Sequence, residues 1–308
     1  MNEINYWDAD CNHNRDSALE MRERSAINYH IKILAEADMF NKWVYNFRYD
    51  CLKIIKQVIG KEIHGTILEI GSGTGIYSCL ISKLESVKKI YTLDYSKACI
   101  EQLLPFVIDQ FNLNEKERMK IFPVVGSFNN IQLQDNSIDF IVAMGALHHS
   151  EDREVTFKEV YRVLKPGGYL IACERASYDT TTNQELNKEL DQEYNQKHKE
   201  LMGYNVEETY TPRMNSEHKP LLAEWQYLLT KVGFKPRIFW FLKFRKGIKK
   251  LSWNFLGWLL FSMIGPKLFS KSITQILHMR IPFYPWFSKF NPDDILIVSK
   301  KIPYTEMP

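Results

Sequence analysis

The sequence predicts a doubly wound α/β fold, in which a parallel sheet is covered by helices on both faces. Three observations carry this reading. Apolar runs of strand length alternate with helical periodicity from residue 66 to residue 174. The first run ends in Glu69, and Gly71, Gly73 and Gly75 follow at every second position, the composition of a tight turn where backbone meets a ligand. Later, Lys165-Pro166-Gly167-Gly168 joins a helix breaker to turn glycines and reads as a helix stop before the fifth strand.

Taken in order, residues 1–60 form an N-terminal helical segment. From Ser17 to Ile59, apolar residues such as Leu19, Ile27, Ile31, Leu34, Val44 and Ile55 recur three or four apart. This predicts two or three helices that pack on the sheet or close over a ligand. Residues 61–174 form the core. Thr66–Ile70 is its first strand, and a helix from Gly75 to Leu84 turns its free N–H groups toward the crevice beyond the strand end. Lys89–Asp94 is the second strand, after which Ser96 caps a helix that runs to Phe111 with a kink at Pro105. Lys120–Val125 and Ile138–Met144 are strands, Asp152–Leu164 is a helix, and Tyr169–Glu174 is the fifth strand. Residues 175–220 are a polar insertion with an exposed helix over Gln184–Met202. Residues 221–308 return to the sheet through a helix at Leu221–Val232 and strands at Arg237–Phe241 and Asp294–Ser299, interrupted by an insertion at 243–292.

The 308 residues suffice for a large core, and 45% apolar with 25% charged residues is ordinary for a soluble protein. The five cysteines (Cys11, Cys51, Cys79, Cys99, Cys173) include no Cys-x-x-Cys pair. A reduced, cytoplasmic setting is expected, with thiols acting as small buried hydrophobes. The N-terminus has neither a basic start nor an apolar stretch, which argues against a signal peptide.

The net charge of +3 is unevenly spread. Between Trp225 and Pro292 there is no Asp or Glu against twelve Lys and Arg, and fourteen aromatics lie from Phe239 to Phe290. Residues 251–265 form a mostly apolar run with basic flanks. It is shorter than the ~20 residues that span a bilayer and suits a helix in the interface of an anionic membrane. A cap over the site, a homodimer interface and a groove for single-stranded nucleic acid are the other readings. Nucleic acid is disfavoured, because no recognised RNA-binding module accompanies the segment.

The spacing Glu69-x-Gly71-x-Gly73-x-Gly75 is not the Gly-x-Gly-x-x-Gly of a pyrophosphate site. Four further segments accompany it: Thr92-Leu-Asp-Tyr-Ser96, Gly126-Ser-Phe128, the run from Asp139 to Leu147-His148-His149, and Glu159 to Leu170. Together they resemble class I S-adenosylmethionine-dependent methyltransferases of the small-molecule branch. The resemblance covers about residues 64–174 well and residues 221–241 loosely. It implies a seven-stranded Rossmann-like methyltransferase sheet, a cap made by the N-terminal helices and the two insertions, and S-adenosyl-L-methionine as cofactor.

The implied cofactor contacts are Glu69 on the ammonium side, Gly71, Ser72, Gly73 and Gly75 in the loop, and Asp94 on the ribose hydroxyls. Tyr95 beside the adenine, Ser127 and Phe128 at its edge, and Met144 complete the set. Asp94 stands 23 residues beyond Gly71, near the ~20 of a ribose acid in nucleotide folds; a helix cap is its alternative role. Ser127 stands where the family often carries an aspartate, so the adenine amino group would meet a neutral acceptor.

His148 or His149 is implied as a general base toward an acceptor hydroxyl. Shaping the pocket, or capping the helix at Asp152, is the reading favoured over catalysis. Adjacent histidines are expected to diverge, so no metal site joining them to Glu151 is expected. The expected function is methyl transfer to oxygen, nitrogen or carbon of a small-molecule or lipid-linked acceptor. A non-catalytic relative binding a membrane or protein through 243–292, and an RNA methyltransferase, are the alternatives. An aminopropyltransferase is disfavoured, because Gly-Ser-Gly-Thr-Gly lacks the acidic glycine pattern typical of that group.

Overall fold

The computed structural model describes residues 2–7, 49–202, 204–240 and 294–302, with single helical positions at 27, 31 and 35. Most of the expected N-terminal helical segment and the whole 243–292 insertion lie outside the described residues.

The strands are β1 (Asn5–Tyr6), β2 (Gly65–Ile70), β3 (Val87–Asp94), β4 (Ile121–Val125), β5 (Ile138–Met144), β6 (Leu164–Arg175), β7 (Phe234–Trp240) and β8 (Asp294–Lys301). They form one sheet in the order β1-β4-β3-β2-β5-β6-β8-β7. Every pairing from β1 to β6 is parallel, whereas β8 runs antiparallel between β6 and β7. Seven of these strands are the expected ones. The eighth, β1, is two residues long, too short for any periodicity to announce.

The central strands read as continuous apolar runs because both faces are covered. Successive residues point to opposite sides. Ile67, Phe140 and Ile171 enter one core, while Leu68, Ile141 and Leu170 enter the other. The first core is closed by α1 (Tyr49–Ile59), α2 (Ile76–Ser82) and α3 (Leu104–Gln110). After the short helix α4 (Glu115–Met119), α5 (Arg153–Val163) covers the second core. The insertion carries α6 (Asn183–Leu190) and α7 (Gln196–Met202), and α8 (Leu222–Val232) joins α5 over the second core.

Three local expectations change in the structure. Pro105 does not kink a single helix; a π-helical turn over Cys99–Leu103 leads into α3, with Pro105 near its start. Proline has no N–H to donate back into the preceding turn, and the wider turn absorbs that gap. The Lys-Pro-Gly-Gly segment is not a free turn, because α5 already ends at Val163 and Lys165–Gly168 lie inside β6. Ile138 pairs with Leu164 but Phe140 pairs with Tyr169, so the extra residues bulge. A Cβ on Gly168 would lie 2.9 Å from the carbonyl oxygens of Asp139 and Lys165. The expected helix over Gln184–Met202 is broken into α6 and α7.

The 175–220 insertion is tied off at its stem. Ser177 pairs with Leu221, its N–H donates to Pro220 O at 2.9 Å, and Leu222 N–H donates to Ser177 O at 3.0 Å. Buried Trp225 donates from Nε1 to Arg175 O at 3.1 Å and lies 6.0 Å from the ring of Phe157. Among the described residues, Cys79, Cys99 and Cys173 are not joined in disulfides. Burial pushes the Cys79 thiol well above its usual range, which makes it an inert core side chain. No helix among the described residues is long and apolar enough to cross a membrane.

Candidate active site

The loop between β2 and α2 is left-handed at all three glycines, with φ of +61° at Gly71, +50° at Gly73 and +71° at Gly75. Their surroundings differ. A Cβ on Gly71 would sit 2.3 Å from the Cβ of Ala146, and one on Gly75 would sit 2.2 Å from Leu104 Cδ1. A Cβ on Gly73 would meet nothing within 4 Å. Packing against Ala146 therefore requires glycine at 71, whereas at 75 only the tip of Leu104 would have to move, and the middle glycine borders open space. Beside it, Ser72 is only 7% exposed, and its Oγ has no hydrogen-bond partner. Such a group is uncommon in a folded protein and points to a ligand contact.

Asp94 joins this loop to the next. Its Oδ2 accepts from Gly73 N–H at 2.7 Å and its Oδ1 accepts from Ser96 N–H at 2.8 Å. Capping of the following helical turn falls to Ser96, whose Oγ accepts from Cys99 N–H at 3.4 Å. A carboxylate anchored in this way at a strand end can accept hydrogen bonds from a ligand's hydroxyl pair.

Glu69 is 2% exposed. Its Oε2 accepts from Ser78 N–H at 2.9 Å and from the Ser78 hydroxyl, which also lies 2.7 Å from Thr92 Oγ1. One of the N–H groups of α2 expected to face the crevice is thus taken by Glu69 itself. Tyr95 is 43% exposed at the end of β3. Ser127 Oγ accepts from Asn129 N–H at 3.1 Å and closes a turn after β4. Phe128 and Met144 are half-buried, against the second and first core respectively. Trp7, which the sequence reading passed over, lies over this region: its N–H donates to Val125 O at 2.9 Å, and its Cβ would be 3.0 Å from one on Gly126.

The third part of the site is the turn after β5. Gly145, at φ +74° with open space where a side chain would stand, leads into a 3-10 turn over Leu147–His149. Its organiser is Glu174 at the end of β6, 1% exposed. Glu174 Oε1 accepts from the N–H groups of Ala146 and Leu147 at 2.9 and 2.8 Å. Its Oε2 accepts from His148 N–H at 3.3 Å and lies 2.7 Å from His148 Nδ1. A carboxylate ending an apolar strand was the available signal, and sequence reasoning missed it.

His148 is buried, and its Nε2 lies 3.5 Å from Glu217 Oε2, an oxygen that Arg175 Nη1 also holds at 2.8 Å. His149 Nδ1 lies 3.1 Å from Ser216 O. The two imidazoles do not diverge: the 3-10 turn brings their centroids to 4.2 Å. Glu217, not Glu151, is the acid that joins them, supplied by the 175–220 insertion. Burial, and next the His148 ring, hold the His149 pKa below the usual histidine range. Neither histidine caps α5; Asp152 does, its Oδ1 accepting from Val155 N–H at 3.0 Å.

Residues 68–172 match a family described as a methyltransferase domain. This stretch is a methyltransferase domain of that family. The residues that the resemblance assigns to S-adenosyl-L-methionine, Glu69 to Met144, all lie within that match. The chain is 28% identical over 160 residues to a hybrid PKS-NRPS synthetase, iccA, of Talaromyces variabilis, a match that covers 50% of this chain and 4% of the synthetase. The chain is 25% identical over 134 residues to demethylmenaquinone methyltransferase of Geobacillus, covering 43% of this chain and 51% of that enzyme. The chain thus spans a small fraction of the synthetase and about half of the quinone enzyme. Among solved structures, a Galdieria sulphuraria protein assigned as a sarcosine dimethylglycine methyltransferase superposes with a TM-score of 0.52 at 18% identity, covering 82% of this chain and 84% of that one. At that identity the likeness speaks for the fold.

The residues present suit the cofactor. An orphaned Ser72 hydroxyl, the open side of Gly73 and the Asp94 carboxylate line the C-terminal strand edge, where open α/β sheets bind ligands.

Proposed function

We propose that this protein transfers the methyl group of S-adenosyl-L-methionine to a small organic or lipid-linked acceptor. The observation that carries this is the Gly73–Asp94 junction, an open glycine backbone beside an anchored carboxylate. When bound, the cofactor supplies a sulfonium-activated methyl group, which needs little acid–base help. The chain's own work is then positioning and exclusion of water. Asp94 receives the ribose hydroxyls, and Ser72 and Glu69 serve the amino-acid end. Tyr95, Ser127, Phe128 and Met144 border the base and the reacting end. The His148–His149 turn faces the acceptor, being packed onto the glycine loop through Ala146 and Gly71.

Two things support an apolar or lipid-linked acceptor: the likeness to an enzyme named for demethylmenaquinone, and the basic, aromatic 243–292 segment with its fit to an anionic membrane. Incubation of the full chain with methyl-labelled cofactor and fractionated cell extract tests the reading. Label in an extractable lipid or quinone fraction is expected. Label confined to macromolecular RNA, or no transfer to any fraction, would overturn it.

A further inference from the structure

We propose that His148, His149 and Glu217 form a site for one divalent transition-metal ion of the zinc class, with a coordination position left for an acceptor oxygen. The proposal deepens the methyl-transfer reading and rests on it for the acceptor, though not for the metal.

The donor set comes first. One ligand atom from each residue lies within 4.8 Å of the others. The separation of His148 Nε2 from Glu217 Oε2 is 3.5 Å. That is long for a hydrogen bond and close to the ~3.3 Å between neighbouring ligands held tetrahedrally at about 2.0–2.1 Å from zinc. Two imidazoles and one carboxylate, with a further position free, is the composition of a catalytic zinc site rather than a closed structural one.

Orientation is the second observation. A metal-binding histidine usually commits its other ring nitrogen to an oxygen acceptor, which fixes tautomer and direction. Both histidines here have Nδ1 on an oxygen acceptor. His148 Nδ1 lies 2.7 Å from Glu174 Oε2, and His149 Nδ1 lies 3.1 Å from the Ser216 carbonyl. A carbonyl can only accept, so His149 carries its proton on Nδ1 in that contact and leaves Nε2 with its lone pair. Glu174, accepting three backbone N–H groups besides, holds His148 the same way. Arg175 keeps Glu217 Oε2 in place at 2.8 Å and stays on that oxygen as an outer partner.

Location supplies the third. The histidines end the turn whose Ala146 packs on Gly71, so the site stands against the glycine loop. An acceptor hydroxyl bound to the ion would lose its proton to water more readily, because a divalent cation stabilises the oxyanion. The acceptor class is therefore a hydroxylated molecule methylated on oxygen, and the histidines act as ligands instead of bases.

The test uses the full chain without a histidine tag, titrated with Co2+ and followed by visible absorption, then back-titrated with Zn2+. One equivalent with the intense bands of four- or five-coordinate cobalt, displaced by zinc, is expected. Glu217→Gln and His149→Gln, checked for unchanged melting, should each weaken binding by about tenfold or more. A spectrum that stays that of the aqueous ion, or variants that bind as the parent does, would overturn the site. S-adenosylhomocysteine binding is measured on the same samples. Its presence without metal binding defeats this proposal alone, and metal binding without it defeats the methyl-transfer reading alone.

Discussion

At the scale of single residues, the three loop glycines look equivalent in sequence and are not equivalent in space. Gly71 and Gly75 each abut a side chain, whereas Gly73 abuts nothing. Gly71→Ala should lower stability by roughly 2–4 kcal/mol, combining left-handed strain with overpacking against Ala146. Gly73→Ala carries only the strain, about 1–2 kcal/mol, but places a methyl where the cofactor must approach. Thermal melting and S-adenosylhomocysteine titration on both variants check this. A larger melting loss at Gly71 and a disproportionate affinity loss at Gly73 are expected, and the reverse order would refute the assignment. Asp94 and the glycine spacing were legible because both lie in short segments whose geometry is local. Glu174 and Glu217 were not legible, because their meaning comes from partners far along the chain: Glu174 meets His148 across 26 positions. The expected divergence of the histidines failed for a related reason, since a 3-10 turn stacks neighbours that an extended strand would separate.

Among elements, helix ends show how local patterns are overruled by the sheet. Lys-Pro-Gly-Gly carries every stop signal, yet β6 draws it into a bulge beside Asp139, whose carboxylate Lys165 Nζ grips at 2.8 Å through both oxygens. The end of α2 uses a device that no pattern announces. Buried Lys120 donates from Nζ to Ser82 O at 2.7 Å and to Leu84 O at 2.8 Å, placing a cation at the helix C-terminus. Burial holds the Lys120 pKa below its usual value. Lys120→Met should therefore cost about 1–3 kcal/mol by leaving two carbonyls without this donor. Chemical denaturation reads it directly; an unchanged midpoint would show that other donors or water satisfy those carbonyls. The strands themselves were predicted within a few residues, because runs buried on both faces have no other reading in an alternating pattern.

Across the whole molecule, two cores on opposite faces of one sheet fix the strand ends, and the strand ends fix the site. The core from 61 to 174 was readable because its strands pair with sequence neighbours except at one crossover, from β4 back past β3 and β2 to β5. The 175–220 insertion was read only as polar chain, yet it returns to the centre and delivers Ser216 and Glu217 to the histidines. Its stem closes at Ser177 and Leu221, and the returning segment is also tied to α6, where Arg213 Nη2 donates to Asn187 Oδ1 at 2.9 Å. The 243–292 segment, whose basic and aromatic composition motivates the lipid-linked acceptor, lies outside the described residues.

The central claim is that the Gly73–Asp94 junction binds the methyl donor. Calorimetric titration of S-adenosylhomocysteine into the full chain and into Asp94→Ala tests it most directly. Single-site binding by the parent is predicted, weakened about 10- to 100-fold in the variant, the loss expected for charge-assisted hydrogen bonds to the ribose. No binding by the parent, or equal affinity in a folded variant, would contradict it.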